Sequence, residues 1–216
     1  ADLNTAYAST GITGHGNEAI TLSDSSLDAT ALNTLDGRTS GTINAASINT
    51  LSGSATDLNT TYTSSGISNL GNEALTLTDT SLSASLLNSL DGRTSGTING
   101  SNITSLSGTA ADLASAYASS GISGLGNEAL TLTDTSLAAS TLNALDGRTS
   151  GTINCSNITS LSGTAADLNT AYTSAGINNL GNENLTLTDS SLAASALNAL
   201  DGRPSGAINA ASLNTL

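Results

Sequence analysis

Residues 74–92 read ALTLTDTSLSASLLNSLDG, and this stretch contains one complete strand–helix pattern. Ala74–Thr78 alternates apolar and hydroxylated side chains, which predicts a strand with one buried face. Asp79–Ser81 supplies short oxygen-bearing side chains that suit a helix N-terminus, and Gly92 suits the left-handed position after a helix. Between them, one helical stripe is formed by Leu82, Leu86, Leu87 and Leu90.

The residues that follow repeat this plan in a second module. Ile103–Leu106 predicts a short strand, and Thr109–Asp112 resembles a capping box with Asp in the place of Glu. The apolar side of the next helix holds Ala110, Leu113 and Tyr117. Together the two strand–helix modules make one unit of 55 residues.

This 55-residue unit is written four times without insertion or deletion, in residues 1–55, 56–110, 111–165 and 166–216. The tripeptide Gly-Asn-Glu marks the register, starting at Gly16, Gly71, Gly126 and Gly181. Such a period is typical of solenoids, in which each unit covers the apolar face of its neighbour. We therefore predict one repeat array over residues 1–216. Because the chain lacks Met and starts part-way into a repeat, we interpret it as a segment of a longer protein.

Successive strand–helix modules require parallel strands joined by helical crossovers. We therefore predict an α/β fold, a repeat solenoid of stacked strand–helix modules with parallel strands on one side and short helices on the other. A doubly wound sheet lacks strict translational repetition. Separate 55-residue domains would be marginal in size, and no linker separates the repeats. The uniformity of the copies argues against one unique active site and favours a spacer, a filament or a multivalent surface.

The chain is strongly acidic, with 17 Asp and Glu residues against four Arg, for a formal net charge of −13. A phosphate backbone needs a basic surface, so the sequence excludes nucleic acid as a partner. Anionic membranes are excluded for the same reason. No apolar run approaches the roughly 18 residues of a membrane-spanning helix, so we expect no membrane insertion. The expected partners are neighbouring repeats of this chain, or copies of it in a filament.

Stacking would turn each fixed position into a column of equivalent side chains. Four acidic columns and one arginine column result: Asp24/Asp79/Asp134/Asp189, Asp36/Asp91/Asp146/Asp201, Asp2/Asp57/Asp112/Asp167, Glu18/Glu73/Glu128/Glu183 and Arg38/Arg93/Arg148/Arg203. We interpret the columns of Asp79 and Asp112 as helix caps, and we expect Arg93 and its equivalents to pair with acids. The alternative is Ca²⁺ bound between coils by carboxylates and carbonyls, although no EF-hand motif is present. The metal ligands, if calcium binds, are not defined by the sequence.

Other repeated or single polar residues receive structural interpretations. Two Asn columns are expected to hydrogen-bond the backbone of turns: Asn33/Asn88/Asn143/Asn198 and Asn44/Asn99/Asn154/Asn209. Thr76 and Thr78 would lie on the outer strand face, where threonine is common in strands; an ice-binding row is the weaker alternative. His15 and Cys155 each occupy a column of Leu or small residues and are interpreted as incidental substitutions. With no nucleophile elbow, phosphate loop or zinc spacing, we expect no catalytic residues, no bound organic cofactor and no enzyme activity.

Three segments carry a resemblance to known proteins: LTLTDTSL at 75–82, LNSLDGRTSGTIN at 87–99 and LSGTAADL at 106–113. They resemble the tandem repeats of giant secreted cell-surface proteins of marine cyanobacteria. That resemblance implies an extracellular or cell-surface location and a structural, adhesive or motility-related role. We therefore expect a structural segment of a large extracellular protein or filament, acting as a spacer or fibre-forming scaffold. The alternative is a calcium-dependent adhesin or another multivalent binding module, with ice or glycan binding less favoured.

Overall fold

The structure, a computed structural model, describes residues 2–216 of the chain. This part of the chain contains eight short helices, two in each repeat. They are α1 (Asp2–Ala8), α2 (Ala29–Asp36), α3 (Ala55–Thr63), α4 (Ala84–Asp91), α5 (Ala110–Ala118), α6 (Ala139–Asp146), α7 (Ala165–Thr173) and α8 (Ala194–Asp201).

The strands are shorter than the helices and more numerous. They are β1 (Ile20–Thr21), β2 (Ser26–Asp28), β3 (Ile43–Asn44), β4 (Thr50–Gly53), β5 (Ile67–Ser68), β6 (Ala74–Leu77), β7 (Ser81–Ser83), β8 (Ile98–Asn99), β9 (Ser105–Gly108), β10 (Ile122–Ser123), β11 (Ala129–Leu132), β12 (Ser136–Ala138), β13 (Ile153–Asn154), β14 (Ser160–Gly163), β15 (Ile177–Asn178), β16 (Asn184–Leu187) and β17 (Ile208–Asn209). Within residues 2–216, every strand pairing with an assigned register is parallel.

The chain divides into two compact units that interleave in sequence. The first contains residues 2–82, 86–103 and 119–124, and the second contains residues 83–85, 104–118 and 125–216. The first unit holds a sheet of order β1-β3-β5 and a sheet of order β10-β8-β6-β4-β2. In the second unit lie strands in the order β15-β13-β11-β9 and the sheet β12-β14-β16-β17. Repeated strand–helix modules with parallel strands confirm the predicted fold class, an α/β repeat solenoid.

Strand pairing follows a period of 24 residues, which differs from the sequence repeat. In the first unit Leu27 pairs with Leu51, Leu51 with Leu75, and Leu75 with Ile98. The last of these steps is 23 residues and the others are 24. Two such coils leave about seven residues of each 55-residue repeat over, and that remainder forms an additional strand. As a result, the sheet from β2 to β10 takes strands from three consecutive repeats.

The core is thin and consists of stacked Leu and Ile side chains. Leu51, Leu75 and Ile98 are neighbours on the inner row of one sheet, and each is at most 1% exposed. Leu32 of α2 is fully buried on the helical side. Burying one such side chain stabilises the fold by about 1.5–3 kcal/mol. Gly53 allows the close approach of strand and helix, because a Cβ there would lie 3.2 Å from the Cβ of Ala29.

The helix predicted to begin near Ser81 starts at Ala84, and Ser81–Ser83 forms strand β7 instead. The equivalent segment of the next repeat explains this difference. Ser136–Ala138 pairs in parallel with Ser160–Ser162, so the leucine at its centre belongs to a strand. Strand pairing therefore takes the first residues of the predicted helical stripe.

Candidate functional site

Each of the three later repeats contains one fully buried carboxylate, Glu73, Glu128 or Glu183, at 0% exposure. The hydroxyl of Tyr62 donates to Oε2 of Glu73 at 2.7 Å. The N–H of Gly71 reaches both carboxylate oxygens, at 2.9 and 3.1 Å. A buried charge is costly unless it is hydrogen-bonded, and here a side chain and the backbone together satisfy it.

The first repeat has the same contacts around an exposed acid. Tyr7 donates to Glu18 at 2.7 Å, and the N–H of Gly16 donates to the same oxygen at 2.7 Å. The Gly16 N–H first, and the Tyr7 hydroxyl second, lower the pKa of Glu18 to about 2. In the second repeat, burial and then the bond to Glu73 raise the pKa of Tyr62 well above its usual value.

The segment around this acid, residues 69–73, is called here the Gly-Asn-Glu loop. Asn69 has a φ of 65° and Gly71 a φ of 141°, so two of its residues lie in the left-handed region. Asn69 is held in place by a bond of 2.8 Å from its Nδ2 to Oδ1 of Asn44. The carbonyl of Glu73 accepts from the hydroxyl of Thr94 at 2.6 Å. The loop is therefore fixed at three points.

A cleft of about 340 Å³ lies beside the loop. Its lining contains one cation and no carboxylate: Thr61, Tyr62, Ile67, Asn69, Leu70, Gly92 and Arg93. Nε of Arg93 is buried and has no hydrogen-bond partner. A donor in that state costs roughly 1–3 kcal/mol, so this atom needs an explanation.

The other three arginines donate to neutral oxygens. Arg38 donates to the carbonyl of Asn4, and Arg148 to the carbonyl of Tyr117 at 3.4 Å. Arg203 donates to Oδ1 of Asn169 at 3.1 Å. The expected pairing of this column with acids is therefore wrong for these contacts. The guanidinium groups instead contact the helix of an earlier module.

The predicted capping role of two acidic columns is confirmed. At α3, Oγ of Ser54 accepts from the N–H of Asp57 at 3.1 Å and donates to its carboxylate at 2.6 Å. Asp79 also caps a helix, but the helix is the preceding one: its carboxylate accepts from the N–H of Ala55 at 2.7 Å. Asp36 accepts from the hydroxyl of Ser64 in the next module at 2.6 Å. These carboxylates tie neighbouring modules together.

The asparagine columns also bond the backbone, as predicted. Nδ2 of Asn33 donates to the carbonyl of Asp57 at 2.9 Å, and Nδ2 of Asn143 donates to the carbonyl of Asp167 at 3.0 Å. Oδ1 of Asn99 accepts from the N–H two residues further on, at 3.0 Å. Amide side chains thus satisfy turns and successive helices.

Calcium ligands are not brought together in the part of the chain that is described. Among residues 2–216, no group of three or more His, Cys, Asp or Glu side chains is placed to hold a metal ion. Threonine does not form a continuous row either, because Thr76 pairs with Ser52 on one side and Asn99 on the other.

The two single residues lie in different surroundings. His15 stacks on Tyr7 with ring centroids 4.9 Å apart. Cys155 is fully buried, and burial raises the pKa of its thiol to about 12. A thiol in that state is a weak nucleophile.

Sequence reasoning missed the Tyr–Glu pair, although a signal for it exists. Tyr and Glu recur 11 residues apart in every repeat, as in Tyr62 and Glu73. Comparisons with protein-family models, with curated proteins and with solved structures gave no significant match to this chain. No helix in residues 2–216 is long and apolar enough to cross a membrane.

Proposed function

We propose that the chain is a structural tandem-repeat segment of a large extracellular or cell-surface protein or filament, serving as a spacer or fibre-forming scaffold. The observation that carries this proposal is the mismatch between the 24-residue strand period and the 55-residue repeat. Because the strands from β2 to β10 come from three repeats, consecutive repeats are joined by shared sheets. A rod or fibre needs such continuity between units.

The polar groups support the same role. Asp79 and Asp36 bond groups in neighbouring modules, and Glu73 is consumed inside the Gly-Asn-Glu loop. Strong net negative charge would keep long arrays soluble and apart, more weakly so in a salty medium. The proposed location rests on the resemblance to secreted cell-surface repeats.

Electron microscopy of the source cells with antibodies raised against this chain tests the proposal. We expect gold label on the outer surface or along fibres of uniform width. Label confined to the cell interior would contradict it. Thermal melts with Ca²⁺ and with a chelator test the calcium-dependent alternative, because a bound ion raises the melting temperature by mass action.

A further inference from the structure

We propose that the cleft beside Arg93 binds a carboxylate carried on a sugar ring, the chemistry of a uronic acid unit. This inference is independent of the scaffold role, because a spacer needs no ligand. The starting observation is the Nε of Arg93, which is buried and has no acceptor within the described structure. A carboxylate oxygen entering the cleft would supply one, in the bidentate geometry that guanidinium favours.

Charge makes the composition of this cleft unusual. The chain has 17 acidic side chains and only four arginines, yet the lining contains Arg93 and no acid. The arginine column also forms its observed contacts with neutral oxygens, for example Arg148 with the carbonyl of Tyr117. The positive charge of Arg93 is therefore not assigned to a structural ion pair.

The walls of the cleft are fixed before any ligand arrives. Tyr62 is held by Glu73 at 2.7 Å, and Asn69 by Asn44 at 2.8 Å. Pre-organised walls reduce the entropy lost on binding. A volume of about 340 Å³ falls at the lower end of the range for small-molecule sites.

The mixture of side chains points to a sugar acid rather than to a simple anion. Ile67, Leu70 and the ring of Tyr62 offer an apolar wall, while the amide of Asn69 offers a donor and an acceptor. A sugar ring presents C–H groups to such a wall and hydroxyl groups to such an amide. Arg93 would take the carboxylate.

Selective ¹⁵N-arginine labelling of the full chain gives a direct readout. With four arginines, the NMR spectrum contains four Nε–H signals, and Arg93→Lys identifies its own by removing it. We expect glucuronate oligomers to shift the Arg93 signal saturably, with a Kd in the millimolar range. Glucose oligomers, which lack the carboxylate, should leave it unmoved.

Acetate is the matched test of the sugar ring. A shift of the Arg93 signal by acetate at the same concentrations and of the same size would overturn a sugar site. No saturable shift with glucuronate oligomers at about ten times the expected millimolar Kd would overturn the proposal entirely. Tyrosine emission gives a second readout on the variant, and Arg93→Lys should weaken glucuronate binding to this cleft about tenfold.

Failure of this experiment leaves the scaffold role unaffected, since antibody labelling tests that role separately. Arg93→Lys keeps a cation and a long aliphatic side chain, so we expect its melting temperature to stay near that of the unchanged chain. A normal melt with lost binding supports ligand contact. Unchanged binding with a normal melt contradicts it.

Discussion

Single residues set the acid stability of this chain, and Glu18 is the clearest case. Its folded pKa of about 2 lies below the roughly 4.3 of an unfolded Glu. The stabilisation is therefore present above the unfolded value and is lost as the pH falls through the folded one. We expect the melting temperature to decrease between about pH 5 and pH 2, and Glu18→Gln to flatten that decrease.

Tyr7→Phe is the matched variant for this prediction. It removes the second-largest cause of the lowered pKa of Glu18 and leaves the larger one, the N–H of Gly16. The acid transition should move to higher pH without disappearing. Thermal melts from pH 7 to pH 2 measure it, and identical pH profiles for all three chains would contradict the assignment.

A missing hydroxyl explains a second residue-scale feature. Oδ1 of Asn33 lies 2.7 Å from the hydroxyl of Thr61, whereas Oδ1 of Asn143 is buried without a partner. The residue equivalent to Thr61 in the last repeat is Ala171. We expect Ala171→Thr to stabilise the chain by about 1 kcal/mol, since it would supply the absent donor.

Thr61→Ala provides the reverse test. Thr61 is fully buried, so its removal should destabilise the chain by about 1–3 kcal/mol by leaving Asn33 unsatisfied. Urea midpoints measure both changes. Destabilisation by Ala171→Thr would mean that the last repeat has no room for the added atoms.

At the scale of elements, the sequence predicts helices better than strands. The stripe of Leu87 and Leu90 is long enough to show a helical period, and both residues are buried in α4. Strands β8 and β10 have two residues each, which is too short to show alternation. Strand β7 was missed because a helix start and a short strand use the same residues, Ser81–Ser83.

The candidate site was less predictable than the fold. Capping by Asp57 follows from local spacing, and the structure confirms it. The Tyr62–Glu73 pair depends on a loop with two left-handed residues, Asn69 and Gly71, whose path no periodicity encodes. The cleft beside Arg93 depends on the same path.

Helix capping differs among repeats and gives a prediction for α6. At α2, Oδ1 of Asp28 accepts from the N–H groups of Thr30 and Ala31, at 2.9 and 3.3 Å. Its equivalent Ala138 has nearly the same backbone angles, φ −78° and ψ 135°, but no capping side chain. We expect Ala138→Asp to stabilise the chain by about 1 kcal/mol in urea unfolding. Ala138→Glu controls for charge, because its longer side chain is not a favoured cap; equal effects would contradict capping.

Two glycines in one turn make a second test of the elements. A Cβ on Gly151 would overlap the carbonyl oxygen of Glu128, whereas a Cβ on Gly147 would lie 3.7 Å from the nearest listed backbone oxygen, that of Ala144. We expect Gly151→Ala to destabilise the chain by about 3 kcal/mol because the backbone must move. Gly147→Ala, at φ −72°, should be neutral or slightly stabilising. Similar urea midpoints for the two variants would contradict this close approach.

At the scale of the whole chain, the period mismatch determines which fragments can fold. Strand β6 pairs with β4 on one side and β8 on the other, and β4 lies in the preceding repeat. A fragment of residues 56–110 keeps the β6–β8 pairing but loses β4, together with the bond from Ala55 to Asp79. One repeat therefore leaves part of its apolar surface uncovered.

We expect the fragment 56–110 to lack cooperative unfolding, and fragments of two, three and four repeats to unfold at increasing urea concentrations. In repeat proteins, stability is close to a sum of unit terms and favourable interface terms, so each added interface raises the midpoint. Circular dichroism in urea measures the series, with residues 56–165 as the two-repeat member. Scrambling the second repeat of that fragment at constant composition controls for length. A single repeat that unfolds cooperatively at the midpoint of the full chain would contradict shared sheets, because it would show that each repeat completes its own core.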